Sequence, residues 1–307
     1  MSSPTDYLHP RYWLTWLGFG LLRLISLLPL PAIALMADAL GSLMFRVMKS
    51  RRNIALKNVV VAYPEISNRE REAIVKRCFQ LIAFTTIGIG VNWWAPESRL
   101  RRLVTFDGKH HYDAAVEEGR NIILLAPHAI ALEMAGLVMS TERPMITMYQ
   151  HTRKLLLNDM VKAKRGRFKG LLVERKEPLR NLVKLIRAGN PFYYLPDQDA
   201  GDKGVFVPFF GIEASTYPML SKFAKLSGAV VLPCFTYIRP KGQGWHVIVG
   251  PALEHFPGDS DEDDARRMNE TIESMINVGP EQYFWVHKRY KTRPDGDTDF
   301  YADDVYR

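Results

Sequence analysis

The stretch Asn121-Ile-Ile-Leu-Leu-Ala-Pro-His-Ala-Ile-Ala-Leu-Glu133 decides how the rest of the chain is read. Its apolar run is bounded by Asn121 and Pro127, the pattern of a buried strand, so His128 falls where the strand hands over to a new element. Glu133 stands alone among Ala, Leu, Met and Gly, where an unpaired carboxylate would cost on the order of several kcal/mol. Residues five apart on one helix point about 140° from each other. His128 therefore belongs to the loop or first turn after the strand and Glu133 to the following helix. From there the carboxylate is expected to orient the imidazole and set its tautomer. The plainer alternative is a core histidine held by a backbone carbonyl, with Glu133 capping or facing water, and the spacing alone does not choose between them.

Outward from this stretch, strand-like runs at 121–126, 145–150, 170–174, 191–195, 229–238 and 245–250 alternate with helix-like runs at 131–140, 153–164, 179–188, 217–227 and 263–278. Ser215 and Thr216 are expected to cap the helix at 217, Gly228 to stop it, and Gly279-Pro280 to end the last one. This alternation predicts a single α/β domain with a mostly parallel central sheet flanked by helices. Ligands of such sheets gather at the carboxyl ends of strands, where His128 lies. Upstream, Ser67-Asn-Arg-Glu70 reads as a capping box opening a long helix with Ile74, Cys78, Ile82 and Thr85 on one stripe. The run from Phe84 to Trp94, apolar on nearly all sides, is either deep core or membrane-facing.

The amino-terminal segment from Tyr12 to Met48 carries only Arg23, Asp38 and Arg46 as charges, with Trp13 and Trp16 near its start and Pro29 and Pro31 as breaks. It is expected to anchor the protein to a membrane, either crossing it or lying in the interface. Residues 1–48 are thus assigned to the anchor and 49–307 to the domain. A cleaved leader ending near Ala37-Asp-Ala39 is the rival reading. Against it, the apolar stretch is long and interrupted by Arg23, and Lys49, Arg51, Arg52 and Lys57 follow directly, which favours a domain on the cytoplasmic side.

Composition excludes several classes. A 47% hydrophobic content rules out disorder. Cys78 and Cys234, far apart in apolar contexts, look like buried thiols and not a disulfide framework. With no CxxC, HExxH, GxxxxGK(S/T) or GxSxG pattern, no metal or other cofactor is expected. The net charge of +8 gathers in basic stretches, above all from Arg153 to Arg187, with twelve Lys or Arg against three acids. Without an aromatic platform or recognisable module, nucleic acid is not expected as a partner. Anionic lipid, a phosphorylated lipid or an acidic carrier protein fits better.

A second group of residues, Pro196-Asp-Gln-Asp199, follows the run at 191–195 and brings Asp197 and Asp199 to another strand end; alone it reads as turn chemistry. In order along the chain stand His128 with Glu133, Arg165-Gly-Arg167, Glu174-Arg-Lys176, Pro196-Asp-Gln-Asp199, Gly204-Val-Phe-Val-Pro-Phe-Phe210, the segment Pro280 to Arg289, and Lys291-Thr-Arg-Pro294. With the hydrophobic amino terminus, this ordered set closely resembles the late acyltransferases of bacterial lipid A biosynthesis, within the lysophospholipid acyltransferase superfamily and its H-x4-(D/E) box. Ala131-Leu132 stands where many relatives carry Asn-Trp, a departure that bears on the acceptor and not on the chemistry.

The resemblance implies transfer of a fatty acyl group from an acyl carrier protein thioester to a hydroxyl of a phosphorylated lipid A precursor, at the cytoplasmic face of the inner membrane. It implies His128 as general base with Glu133 orienting it, Arg167 as a phosphate or substrate ligand, and Asp197 as a residue needed for activity in a role left open. Trp285, His287 and Arg289 are expected to alternate as scaffold near the site. An acyl pocket is expected to involve Trp93, Trp94, Phe206 or Phe209. The alternatives are the same chemistry on another glycolipid or lysophospholipid, a thioesterase in which His128 activates water, or a lipid-binding protein without catalysis.

Overall fold

The computed structural model describes residues 7–152, 154–294 and 299–302. Arg153, at the head of the expected basic stretch and of the helix within it, lies outside them, as do residues 1–6 of the amino-terminal segment. The strands in chain order are β1 (Val104–Asp107), β2 (Asn121–Leu125), β3 (Met145–Tyr149), β4 (Gly170–Glu174), β5 (Phe192–Tyr194), β6 (Val205–Phe209), β7 (Ile212–Thr216), β8 (Ala229–Ile238) and β9 (Trp245–Val249). Seven form one sheet in the spatial order β1-β9-β8-β2-β5-β3-β4, parallel throughout except where β8 meets β9; β6 and β7 make a separate antiparallel hairpin.

The helices are α1 (Trp13–Ile25), α2 (Leu30–Val47), α3 (Lys49–Ala62), α4 (Asn68–Ile87), α5 (Ile89–Trp94), α6 (Glu97–Leu103), α7 (Lys109–Glu117), α8 (Leu132–Glu142), α9 (Leu155–Arg165), α10 (Leu179–Arg187), α11 (Met219–Ser227) and α12 (Asp261–Asn277). Alternate residues of a strand face opposite ways. Ile123 and Leu125 join Phe192, Tyr194 and Val231 under α3, α10, α11 and α12, whereas Ile122 and Leu124 join Tyr193 and Leu232 under α2, α7 and α8. Burial on both faces is why β2 reads as an unbroken apolar run.

The amino-terminal helices are tied to this body and still expose apolar surface. Along α2, Ile33, Ala37 and Gly41 recur every fourth residue and are buried. At Gly41 an added Cβ would come within 2.3 Å of Gln80 Cα, so glycine is what lets α2 and α4 touch backbone to backbone. Arg99 caps the end of α1 by donating to the carbonyls of Ser26 (2.6 Å) and Leu28 (3.0 Å). The outward side carries Trp13, Leu14, Leu17, Leu21 and Leu24 of α1 with Leu35, Met36, Leu40, Leu43 and Val47 of α2, all exposed. An apolar surface of this extent marks a membrane or protein contact. By length and composition, α2 and the run from Asn68 to Trp94 also pass as candidate spans, though half of the latter is buried in the protein.

The six expected strands and five expected helices are present to within a few residues. β1, α6, α7 and the β6–β7 hairpin were not anticipated: β1 is a four-residue edge strand beside charged flanks, and Pro208 disguises β6. The capping box at Ser67 and Glu70 is formed, yet of the expected stripe on α4 only Cys78 is fully buried, because Val75, Phe79, Leu81 and Phe84 turn to its neighbours instead. The Phe84 to Trp94 run breaks at Gly88 into α5. Ser215 and Thr216 do not cap α11, which starts at Met219 after Pro218; they are buried in β7, paired with Phe206 and Val205. Gly228 does stop α11, in the left-handed conformation. Trp285, His287 and Arg289 lie in a turn-rich segment and not in a strand; its nearest approach to strand pairing is a single bridge between Ala129 and Tyr283.

Candidate active site

The register of two parallel strands assembles the centre of the site. β2 and β5 lie side by side with Leu125 opposite Tyr194, and each chain leaves the sheet over the next three residues, which brings His128 opposite Asp197. The His128 Nδ1 lies 2.5 Å from Asp197 Oδ1, and the His128 backbone N–H donates to Oδ2 at 2.8 Å. Asp197 is fully buried. Burial alone pushes its carboxyl upward, but the adjoining His128, its ring and backbone N–H groups and the Tyr283 hydroxyl outweigh this and hold it below the usual carboxylate value. An ionised carboxylate only accepts, so Nδ1 must carry the proton. In the neutral ring, Nε2 is then left with its lone pair.

The carboxy-terminal segment clamps this arrangement. Ile130 N–H donates to the Gln282 carbonyl at 2.8 Å and Phe284 N–H to the His128 carbonyl at 3.2 Å, which seats Tyr283 against Asp197. Asp199 receives the backbone N–H and hydroxyl of Thr292 at 3.1 and 3.0 Å, and its own N–H donates to His287 Nε2 at 3.2 Å. Buried Arg289 donates to the Ser215 carbonyl and Thr216 hydroxyl. His287 and Arg289 are thus scaffold beside the site, as expected. Tyr283 and Thr292, which secure Asp197 and Asp199, sit in the quoted motifs but carried no signal marking them as partners of those acids.

His287 offers a pH test. Burial holds its pKa below the usual histidine value of 6.5, with His128 and Arg289 acting in the same direction and Asp197 and Asp199 against. Its folded form therefore binds a proton less readily than its unfolded form. The stability this provides is present above about 6.5 and is lost as pH falls through that value toward the folded pKa. His287→Gln is expected to flatten the fall of melting temperature on acidification below neutral pH; an unchanged slope would exclude this ring as its source.

Two sequence assignments change partners. Glu133 does not orient His128: it sits in the first turn of α8, and its carboxylate receives Nε and Nη2 of Arg165, the last residue of α9. The helix carries Glu133 off toward α9, while the three-residue exit from β5 delivers Asp197 straight to the ring. Arg167 does not present an unengaged fork for phosphate either. Its Nη1 and Nη2 donate to the carbonyls of Asn92 (2.7 Å) and Ala95 (2.5 Å), capping the end of α5. Nearby, burial and the like charges of Arg167 and Arg23 hold the Lys164 pKa below its usual value.

Losing the Glu133 carboxylate would leave Arg165 half buried without its counter-ion. Glu133→Ala is expected to lower unfolding free energy by about 1 kcal/mol, the low end for an orphaned partner because each side chain keeps about a third of its surface exposed. Arg165→Met in the same background should recover part of the loss. Strictly additive losses in urea unfolding would show the pair to be uncoupled.

His128 opens onto a cleft of about 490 Å³ at the strand ends, shared with Tyr149, Arg175, Gln198, Lys203 and Tyr217. A narrower apolar cavity of about 70 Å³ lies under α8, with Trp93, Glu133 and Arg165 among its lining and Met148, Tyr193 and Leu195 as the wall common to both. Of the other aromatics considered for an acyl pocket, Phe209 is buried core, and Phe206 and Trp94 line neither cavity. Neither thiol serves as nucleophile, since burial pushes Cys78 and Cys234 up to about 12.

A histidine with a fixed tautomer, open to a cleft at the strand ends of an α/β sheet, is chemically able to take a proton from a bound group. Residues 1–292 match the family described as bacterial lipid A biosynthesis acyltransferase. Among similar proteins, the lipid A biosynthesis lauroyltransferase of Escherichia coli (strain K12) is 35% identical over 95% of this chain and 96% of its own length. The palmitoleoyltransferase of that strain is 33% identical over 96% and 97%, and its myristoyltransferase 30% identical over 98% and 94%. The chain belongs to the bacterial lipid A biosynthesis acyltransferase family and is an acyltransferase.

Proposed function

We propose that this protein transfers a fatty acyl group from an acyl carrier protein thioester to a hydroxyl of a phosphorylated lipid A precursor. The observation that carries the mechanism is the His128 ring, with Nδ1 bound to buried Asp197 and Nε2 without a protein partner among the described residues, at the edge of the cleft. Nε2 takes the proton of the acceptor hydroxyl as its oxygen attacks the thioester carbonyl. Collapse of the tetrahedral intermediate breaks the carbon–sulfur bond, and the imidazolium returns the proton to the departing thiolate. Asp197 holds the ring and stabilises its charged form. Glu133 acts through Arg165, keeping that guanidinium at the polar end of the apolar cavity.

Lys164, in the lining of the apolar cavity and close to the positive charges of Arg23 and Arg167, adds local positive potential that supports an anionic acceptor, although the Arg167 fork itself is taken up by backbone carbonyls. In this reading residues 1–48 are the membrane-contacting segment and 49–307 the acyltransferase domain, on the cytoplasmic side of the inner membrane. An interfacial anchor is favoured over a spanning one. α1 is about 20 Å long at 1.5 Å per residue, short of the roughly 30 Å hydrocarbon layer, and α2 is bound lengthwise to α4.

The test is incubation of the purified protein with acyl carrier thioester and phosphorylated lipid A precursor, followed by mass spectrometry. The expected product carries one added acyl group. Acyl release without acceptor at the rate of transfer would make the protein a thioesterase, and preference for another glycolipid or a lysophospholipid would change the acceptor.

A further inference from the structure

Gly136 sits inside α8, where glycine is the poorest helix former after proline. The usual structural reasons for keeping it there are absent. It has no positive φ, and a Cβ added to it would meet only Thr147 Cγ2 and Tyr193 Cδ1, each at 3.9 Å, an ordinary contact. Gly90 of α5 differs, since a Cβ there would lie 2.3 Å from the Leu22 carbonyl oxygen. What the missing side chain of Gly136 leaves is space. It forms part of the wall of the narrow apolar cavity, together with Leu132, Leu137, Met145 and Tyr193.

That cavity meets the His128 cleft at Met148, Tyr193 and Leu195. Met148 is unbranched and conformationally adaptable, so a flexible chain can pass beside it at little steric cost. Its charged lining is confined to the Glu133–Arg165 pair and Lys164, its other polar groups are Asn92, Ser140, Thr147 and the Tyr193 hydroxyl, and the rest is apolar, a narrow and mainly apolar space that suits an unbranched hydrocarbon over a bulky group. We infer that this cavity holds the far end of the donor's acyl chain and that Gly136 is a specificity-determining residue which sets how long a chain fits. The inference rests on the acyl-transfer reading above.

The experiment compares wild type, Gly136→Ala and Gly136→Leu in full-length enzyme, using saturated acyl carrier thioesters of stepwise increasing length and one fixed acceptor. Each methylene that no longer fits costs about tenfold or more in kcat/KM. Gly136→Leu is therefore expected to lose at least about tenfold on the longest donor wild type uses well while keeping its rate on shorter ones. Gly136→Ala should shift the preferred length the same way by a smaller step and melt no lower than wild type, since alanine favours the helix. It decides the matter alone if the leucine variant does not fold. Length profiles that superimpose on wild type, or losses equal for every donor, overturn the inference. Absence of transfer by wild type with every donor instead overturns the acyl-transfer reading beneath it.

Discussion

Replacing His128 by alanine is expected to slow acyl transfer by on the order of 10²- to 10⁴-fold, the usual contribution of a positioned general base. The loss should fall on kcat, because the ring is most needed when the hydroxyl proton is in flight and contributes little to holding either lipid chain. In the proposed mechanism the acceptor hydroxyl attacks the thioester directly, and neither buried thiol lines the cleft. The side chain is partly exposed at the edge of a cleft and its removal opens no core cavity. Melting temperature should fall only modestly, because buried Asp197 loses the ring but keeps the backbone N–H of residue 128 and the Tyr283 hydroxyl. A variant that folds and transfers at the full rate would disprove the base assignment.

Asp197→Asn is expected to bring a loss of comparable order, about 10²-fold or more, with no change of side-chain size. The carboxylate accepts from the Nδ1–H and backbone N–H of His128 at once. An amide keeps one accepting oxygen and gains an N–H. That N–H can donate to an unprotonated Nδ1 and favour the tautomer with its proton on Nε2, where it blocks the base. The imidazolium also loses its counter-charge, so the low-pH arm of the pH–rate profile, where the base becomes protonated, should move to lower pH, an effect that simple structural damage would not produce. Because the two side chains act as one unit, the double variant His128→Ala, Asp197→Asn should be little slower than His128→Ala alone. Multiplied losses would show that Asp197 acts somewhere other than on the ring.

The contrast between Asp197 and Glu133 shows how far the linear pattern reached. Both acids stood out, one inside an apolar stretch and one in a turn after a strand. His128 and Glu133 are close in the chain, and that closeness suggested the pair. Proximity in sequence across a strand-to-helix junction is a poor guide to contact, because the helix leads its side chains away from the loop. The acid that reaches the ring comes from the neighbouring strand, sixty-nine residues on. Arg167 carries the same lesson: a guanidinium in a basic stretch resembles a phosphate ligand until the carbonyls at the end of α5 are seen to occupy it.

The amino-acid sequence by itself determined the α/β class, most of the strands and helices, the placement of His128 and Asp197 at strand ends and the apolar character of the amino-terminal helices. These follow from local periodicity, turn residues and composition, which each segment carries within itself. Only the tertiary structure decided which acid holds His128, which base holds Glu133 and where the apolar cavity lies. Those outcomes depend on strand order and register: placing β5 beside β2, with Tyr194 opposite Leu125, is what brings Asp197 to the imidazole. Strand neighbours are chosen by the packing of both sheet faces at once, and that choice is not written in any one stretch of chain.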